Sequence, residues 1–154
     1  MSSPRLDLDA VGQAMGLANT AQRSAISAYQ QPYLDLLGFV PPRIEARLCT
    51  TGVMDPTMVE LQEKTRSYAM DTPHLEPKMV QMMLFGMLLM AGNDAAQTHC
   101  IAARRCGASW EELQATINLC FLFRGLPAAN RGAHMLASVA AREAEQADGS
   151  ANEQ

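Results

Sequence analysis

Charge is scarce in this sequence. Asp, Glu, Lys and Arg make up 18% of its 154 residues, against about 25% in an average soluble protein. Hydrophobic residues reach 48%, a balance that excludes disorder and points to extra surface buried against other copies of the chain. Neither sign of charge dominates: 12 Lys and Arg against 16 Asp and Glu leave a net charge of −4. No basic stripe runs along any segment, so a nucleic-acid partner is not expected. Long apolar runs are missing too. The longest, Met79 to Ala91, is 13 residues and holds Gln81 and Gly86, where a membrane span needs about 20. The N-terminal MSSPRLDLD is polar and acidic, unlike a signal peptide. These absences lead to the expectation of a soluble, cytoplasmic chain with no membrane partner.

Metal-binding and redox spacings are also absent. The four cysteines, Cys49, Cys100, Cys106 and Cys120, contain no CxxC pair, and without an export signal they are expected as reduced thiols. His74, His99 and His134 form no HExxH, HxxxH or ExxH spacing, so neither a metal nor another cofactor is expected. A chain of 16.7 kDa can bury roughly 70% of its unfolded surface and needs no such staple to fold.

Punctuation cuts the sequence into helices, and no β-branched alternating run reads as a strand. A helical stretch spans about Asp9 to Gln30, and Gly38 with Pro41-Pro42 closes the segment after it. Pro42 to Leu48 suits a short helix. Asp55-Pro56 is an N-cap followed by proline in the first turn, opening a helix to about Met70. Pro77 opens the next, which ends near Gly92. Asn93 and Asp94 start another, stopped by Gly107. Ser109-Trp-Glu-Glu112 fits a capping box, and its helix ends at Gly125. Pro127 opens the last helix, which gives way to a polar tail after Glu145. The fold class is all-α, with six or seven helices.

Four features in this pattern bear on chemistry. The Met79–Ala91 helix is apolar on every side and so should be buried on every side; it is core and subunit interface, or its methionines, Met83 and Met87 among them, form an adaptable ligand wall. His99 lies among alanines, either as a core residue with satisfied partners or as an acid/base in a pocket. Trp110, Leu113, Ile117 and Cys120 form a stripe whose next step is Arg124. That guanidinium either caps its own helix or holds a substrate carboxylate. Asn130 and His134, four apart, share one face. Arg131 and Arg104-Arg105 read as solvated charges or as partners between subunits, and Tyr29, Tyr33 and Tyr68 form no pattern.

Three motifs between about Leu75 and Ala140 resemble the carboxymuconolactone decarboxylase family, which shares its fold with alkyl hydroperoxidase D. LEPK (Leu75 to Lys78) is similar to the Leu-Asp-Pro-Lys that opens that family's central helix. HCIAARRCGASWEEL (His99 to Leu113) is similar to its His-x7-Gly-x-Thr-x-Glu-Glu-Ile/Leu. FRGLPAAN (Phe123 to Asn130) is similar to Tyr-Cys-Gly-Val-Pro-Ala-Ala-Asn. The resemblance divides the chain into an N-terminal helical arm (1–54), a helical domain (55–145) and a polar tail (146–154). It also implies a trimer or hexamer.

Departures from the family are informative. The peroxidase branch carries Cys-x-x-Cys-x-x-x-His, and its two cysteine positions fall on Gly92 and Ala95, counted back from His99. Its upstream glutamate falls near Val80 or Gln81, where no carboxylate stands. Cys100 and Cys106, separated by about 9 Å along a helix, are too far apart for an unstrained disulfide. The decarboxylase branch fits better, although its Tyr-Cys is Phe123-Arg124 here. The resemblance therefore implies a cofactor-independent lyase or isomerase acting on a small carboxylated lactone or related ring-cleavage product. His99 and Arg124 are the candidate catalytic residues, and Asn130, His134, Met83 and Met87 the candidate lining. The alternatives are a thiol-dependent peroxidase-like protein and a non-enzymatic oligomer that binds a small molecule.

Overall fold

The computed structural model describes residues 7–16 and 20–151. Among these the fold is all-α, with eight helices and no strand. The helices are α1 (Leu8–Ala14), α2 (Thr20–Leu37), α3 (Pro42–Met54), α4 (Pro56–Met70), α5 (Pro77–Met90), α6 (Ala96–Arg105), α7 (Trp110–Arg124) and α8 (Leu126–Ala151). The count exceeds the six or seven expected because the N-terminal stretch holds two helices, α1 closing before Gly16 at φ +68°. Three helices also outrun their expected ends. α2 continues through Pro32 to Leu37, α3 continues past Leu48 to Met54, and α8 continues past Glu145 to Ala151.

The chain divides into two units, Met1–Thr72 and Pro73–Gln154. The Pro56–Met70 helix packs on α3, so the division falls after α4. In the first unit, α1, α2 and α4 each pack against α3, around Ile26, Leu37, Leu48 and Val59.

The second unit is a four-helix arrangement. α5 packs on α6 and on α7, and α8 packs on α7 and α6. Local signals set each helix end. Ser109 Oγ accepts from the Glu112 N–H at 3.1 Å, while Glu112 Oε2 accepts from the Ser109 N–H at 2.8 Å. Gly125 at φ +64° ends α7 and lets α8 begin at once. Glu112 also receives Lys78 Nζ at 2.8 Å, so two of the motifs singled out from sequence meet across the starts of α5 and α7. The core gathers Phe85, Leu89, Cys100, Leu113, Ile117 and Val139.

Within its own unit the α5 helix is buried on part of its surface. It buries Val80, Gln81, Phe85, Gly86 and Leu89, but Met79, Met83 and Met87 are exposed. Among the described residues, one flank of this all-apolar helix meets no neighbouring helix of its own unit.

Among the described residues, no helix is long and apolar enough to cross a membrane.

Candidate functional site

His99 sits on α6 and is half-buried. Small residues place it: Ala96, Ala102 and Ala103 are fully buried, which brings α6 close to its neighbours. From α5, the almost fully buried Gln81 reaches the ring, with Oε1 2.8 Å from Nδ1. With the amide oxygen facing it, Nδ1 carries the proton, and the basic lone pair of the imidazole lies on Nε2. Gln81 stands at one of the two positions onto which the family's glutamate would fall.

The other five sequence candidates are solvent-exposed. Arg124 ends α7 where the buried stripe of Leu113, Ile117 and Cys120 runs out. The Phe121 carbonyl at that end is taken by the Gly125 N–H at 2.8 Å. Asn130 and His134 lie on the outer side of α8, and Met83 and Met87 on the open flank of α5.

Two of the arginines read as solvated or intersubunit charges are bonded within their own chain, Arg131 while remaining solvent-exposed. Arg104 Nε and Nη2 donate to the two oxygens of Glu143, each at 3.0 Å, and Nη1 donates to the Ala108 carbonyl at 2.6 Å. Its guanidinium also stacks 4.0 Å from the Trp110 ring centroid. Arg131 Nη1 donates to the Gly92 carbonyl at 2.7 Å and to Asp94 at 2.9 Å, holding the α5–α6 turn. Short-range sequence reading misses both because the partners lie 37 to 39 residues away.

Three of the thiols are poorly suited to redox exchange. Burial pushes Cys100 up to about 12 and raises Cys106 and Cys120 above the usual thiol range. The thiolate, which is the reactive form, is therefore disfavoured at neutral pH. None of the four cysteines is joined in a disulfide. Among the described residues, no group of three His, Cys, Asp or Glu could hold a metal.

A second polar cluster, unsuspected from sequence, lies in the first unit. Glu63 on α4 is almost fully buried. It accepts from Tyr33 Oη at 2.9 and 3.1 Å, from Arg66 Nε at 3.0 Å, and from Arg47 Nη2. Burial pushes its carboxyl up, but the hydrogen bonds from Arg47, Arg66 and Tyr33 outweigh this and hold it below the ordinary glutamate range. Burial pushes the Tyr33 phenol up to about 12, so it remains a donor. Arg66 also stacks over the Tyr33 ring at 4.3 Å. An open cavity of about 330 Å³ lies beside this cluster, against Tyr29, Pro32, Lys64 and Arg66.

No known protein family, curated protein or solved structure matches this chain.

Proposed function

We propose that the chain is a cofactor-independent lyase or isomerase of the carboxymuconolactone decarboxylase type, working in the cytoplasm as a homo-oligomer, a trimer or hexamer. Its substrate is a small carboxylated lactone or related ring-cleavage product, and no nucleic acid or membrane takes part. The Gln81–His99 pair carries this reading. A histidine held at Nδ1 by an amide oxygen has its ring plane, and with it the direction of Nε2, fixed.

The chemistry asks little more of the site. Loss of CO₂ from a γ-carboxylated butenolide sends the electron pair through the ring double bond to the lactone carbonyl. The dienolate so formed takes a proton at the α carbon, and His99 Nε2 is proposed to deliver it from the imidazolium form, which leaves the neutral Nδ1–H ring and is restored by a proton from solvent. A cation is needed for the departing carboxylate or the developing oxyanion, and Arg124 is the proposed source. Asn130, His134, Met83 and Met87 are proposed to line the substrate's path. The raised thiols weigh against the peroxidase-like alternative.

The test is CO₂ release from a γ-carboxylated butenolide by the wild type and by His99→Gln, with thermal melting measured alongside. A positioned acid/base contributes about 10²- to 10⁴-fold, so kcat should fall by that factor with little change in KM. A His99→Gln protein that melts early but turns over normally per folded molecule would leave His99 a core residue and end the proposal.

A further inference from the structure

The open flank of α5 does not stand alone. α5 and α7 run parallel: Lys78 and Glu112, near their two N-termini, are bonded at 2.8 Å, and further along Gly86 faces Thr116 and Cys120. Cys120 Sγ lies 3.5 Å from the Gly86 carbonyl oxygen. This line of contact fixes the phase of both helices. Met79, Met83 and Met87, each four residues on from the last, fall to one side of it on α5. Leu119 and Phe123, also four apart, fall to one side of it on α7, with Leu122 next to them. For two parallel helices of the same hand, these two sides coincide. The six side chains therefore belong to a single face spread across both helices.

The exposure of that face is large. Met79, Met83 and Met87 are 46%, 46% and 56% exposed, and Leu119, Leu122 and Phe123 are 65%, 69% and 79% exposed. Together they amount to about 700 Å² of largely apolar surface, above the roughly 300–600 Å² of the largest patch on a typical monomer. Each partner in a standard protein–protein interface contributes about 800 Å², so this face and its rim supply one half of a stable contact. None of the six carries charge. Copies of a chain with net charge −4 can thus bury this face against one another without placing charge at the centre of the contact.

We infer that the α5–α7 face is where a second copy of this chain docks, with Leu119, Leu122 and Phe123 at its centre and the α5 methionines beside them. The inference specifies the surface used in the homo-oligomer proposed above. It does not depend on the chemistry of His99, because assembly is read from mass and catalysis from turnover.

Sedimentation of the full chain at micromolar concentration tests it, with helix content followed by circular dichroism. The wild type should sediment at a multiple of 16.7 kDa, and Leu119→Glu with Leu122→Glu should sediment as a single chain of wild-type helix content. Phe121→Glu changes an exposed ring on the same helix but on the other side of the contact line, and should keep the wild-type mass. If the leucine pair loses helix content, Met83→Lys with Met87→Lys replaces it and should give the single-chain mass. A wild type of 16.7 kDa would overturn the inference, as would an oligomer that both pairs leave intact. A single-chain wild type that pellets with anionic phospholipid vesicles would assign the face to a lipid surface and overturn it as well.

Discussion

In the first unit, one buried carboxylate ties three helices together: Glu63 of α4 binds Tyr33 of α2, Arg47 of α3 and its own neighbour Arg66. In the second unit, close backbone approach takes that place. A Cβ on Gly132 would lie 2.7 Å from Ile117 Cγ1, and one on Gly86 would lie 3.1 Å from Thr116 Cγ2. A sequence with little charge has concentrated part of it at one buried point and built the other unit from small residues and apolar side chains. The contrast shows in how each unit fails. A buried polar cluster is sensitive to protonation, whereas a glycine crossing is sensitive to a single added methyl group.

The largest expected effect comes from breaking the carboxylate. Glu63→Gln leaves Arg47 and Arg66 without their shared counter-charge. Breaking a fully buried pair costs about 3–5 kcal/mol; these guanidinium side chains are 29% and 24% exposed, so about 2–3 kcal/mol is expected. The same group sets an acid limit. Its folded pKa lies below the ordinary 4.5, so the unfolded chain binds the proton more readily as pH falls. The stability it supplies is complete above about pH 4.5 and is lost as pH drops through the lower, folded value. Segment-resolved hydrogen exchange should show protection of α2–α4 falling over that window, and Glu63→Gln should abolish that pH dependence. Equal acid loss in the variant and the wild type would break the comparison.

A smaller effect sharpens the other side. Gly132→Ala drives its methyl group into the β-branched Ile117, whose nearest atoms lie close to the backbone and cannot swing away. Overpacking of this kind costs about 1–3 kcal/mol, against a helix-propensity gain of about 1 kcal/mol for Ala over Gly. Gly86→Ala meets the Thr116 methyl group at 3.1 Å and Cys120 Sγ at 3.7 Å, a milder crowding than at Gly132, so its two contributions should nearly cancel. Melting curves should place Gly132→Ala clearly below Gly86→Ala. The reverse order would mean that the α7–α8 crossing has more room than the structure gives it.

Signals acting within one turn were legible in the sequence. Asp55-Pro56 caps α4, with Asp55 accepting from the Met58 N–H at 3.0 Å, and the Ser109–Glu112 box, Gly107 and Gly125 end or begin helices where they stand. These devices need only neighbouring residues. The Tyr33–Glu63 bond joins residues 30 apart and the Gln81–His99 bond residues 18 apart. No periodicity encodes such pairings, because they depend on how the helices cross. The open flank of α5 shows the same limit: an all-apolar helix reads alike on every side, and only the placement of α6 and α7 decides which side lacks a neighbour. Of the candidate site, the position of His99 was legible, while its partner Gln81 was passed over as a missing carboxylate.

The functional account turns on the direction in which His99 presents its basic nitrogen. Long-range ¹H–¹⁵N correlation spectra of the His99 imidazole report this directly, through the distinct ¹⁵N shifts of its two ring nitrogens. With Gln81 Oε1 accepting from Nδ1, the neutral ring should be the Nδ1–H form with an unprotonated Nε2, and Gln81→Leu should let it relax to a mixture of tautomers. A neutral His99 found as the Nε2–H form in the wild type would contradict the account, because the nitrogen proposed to exchange the proton would then not be the basic one.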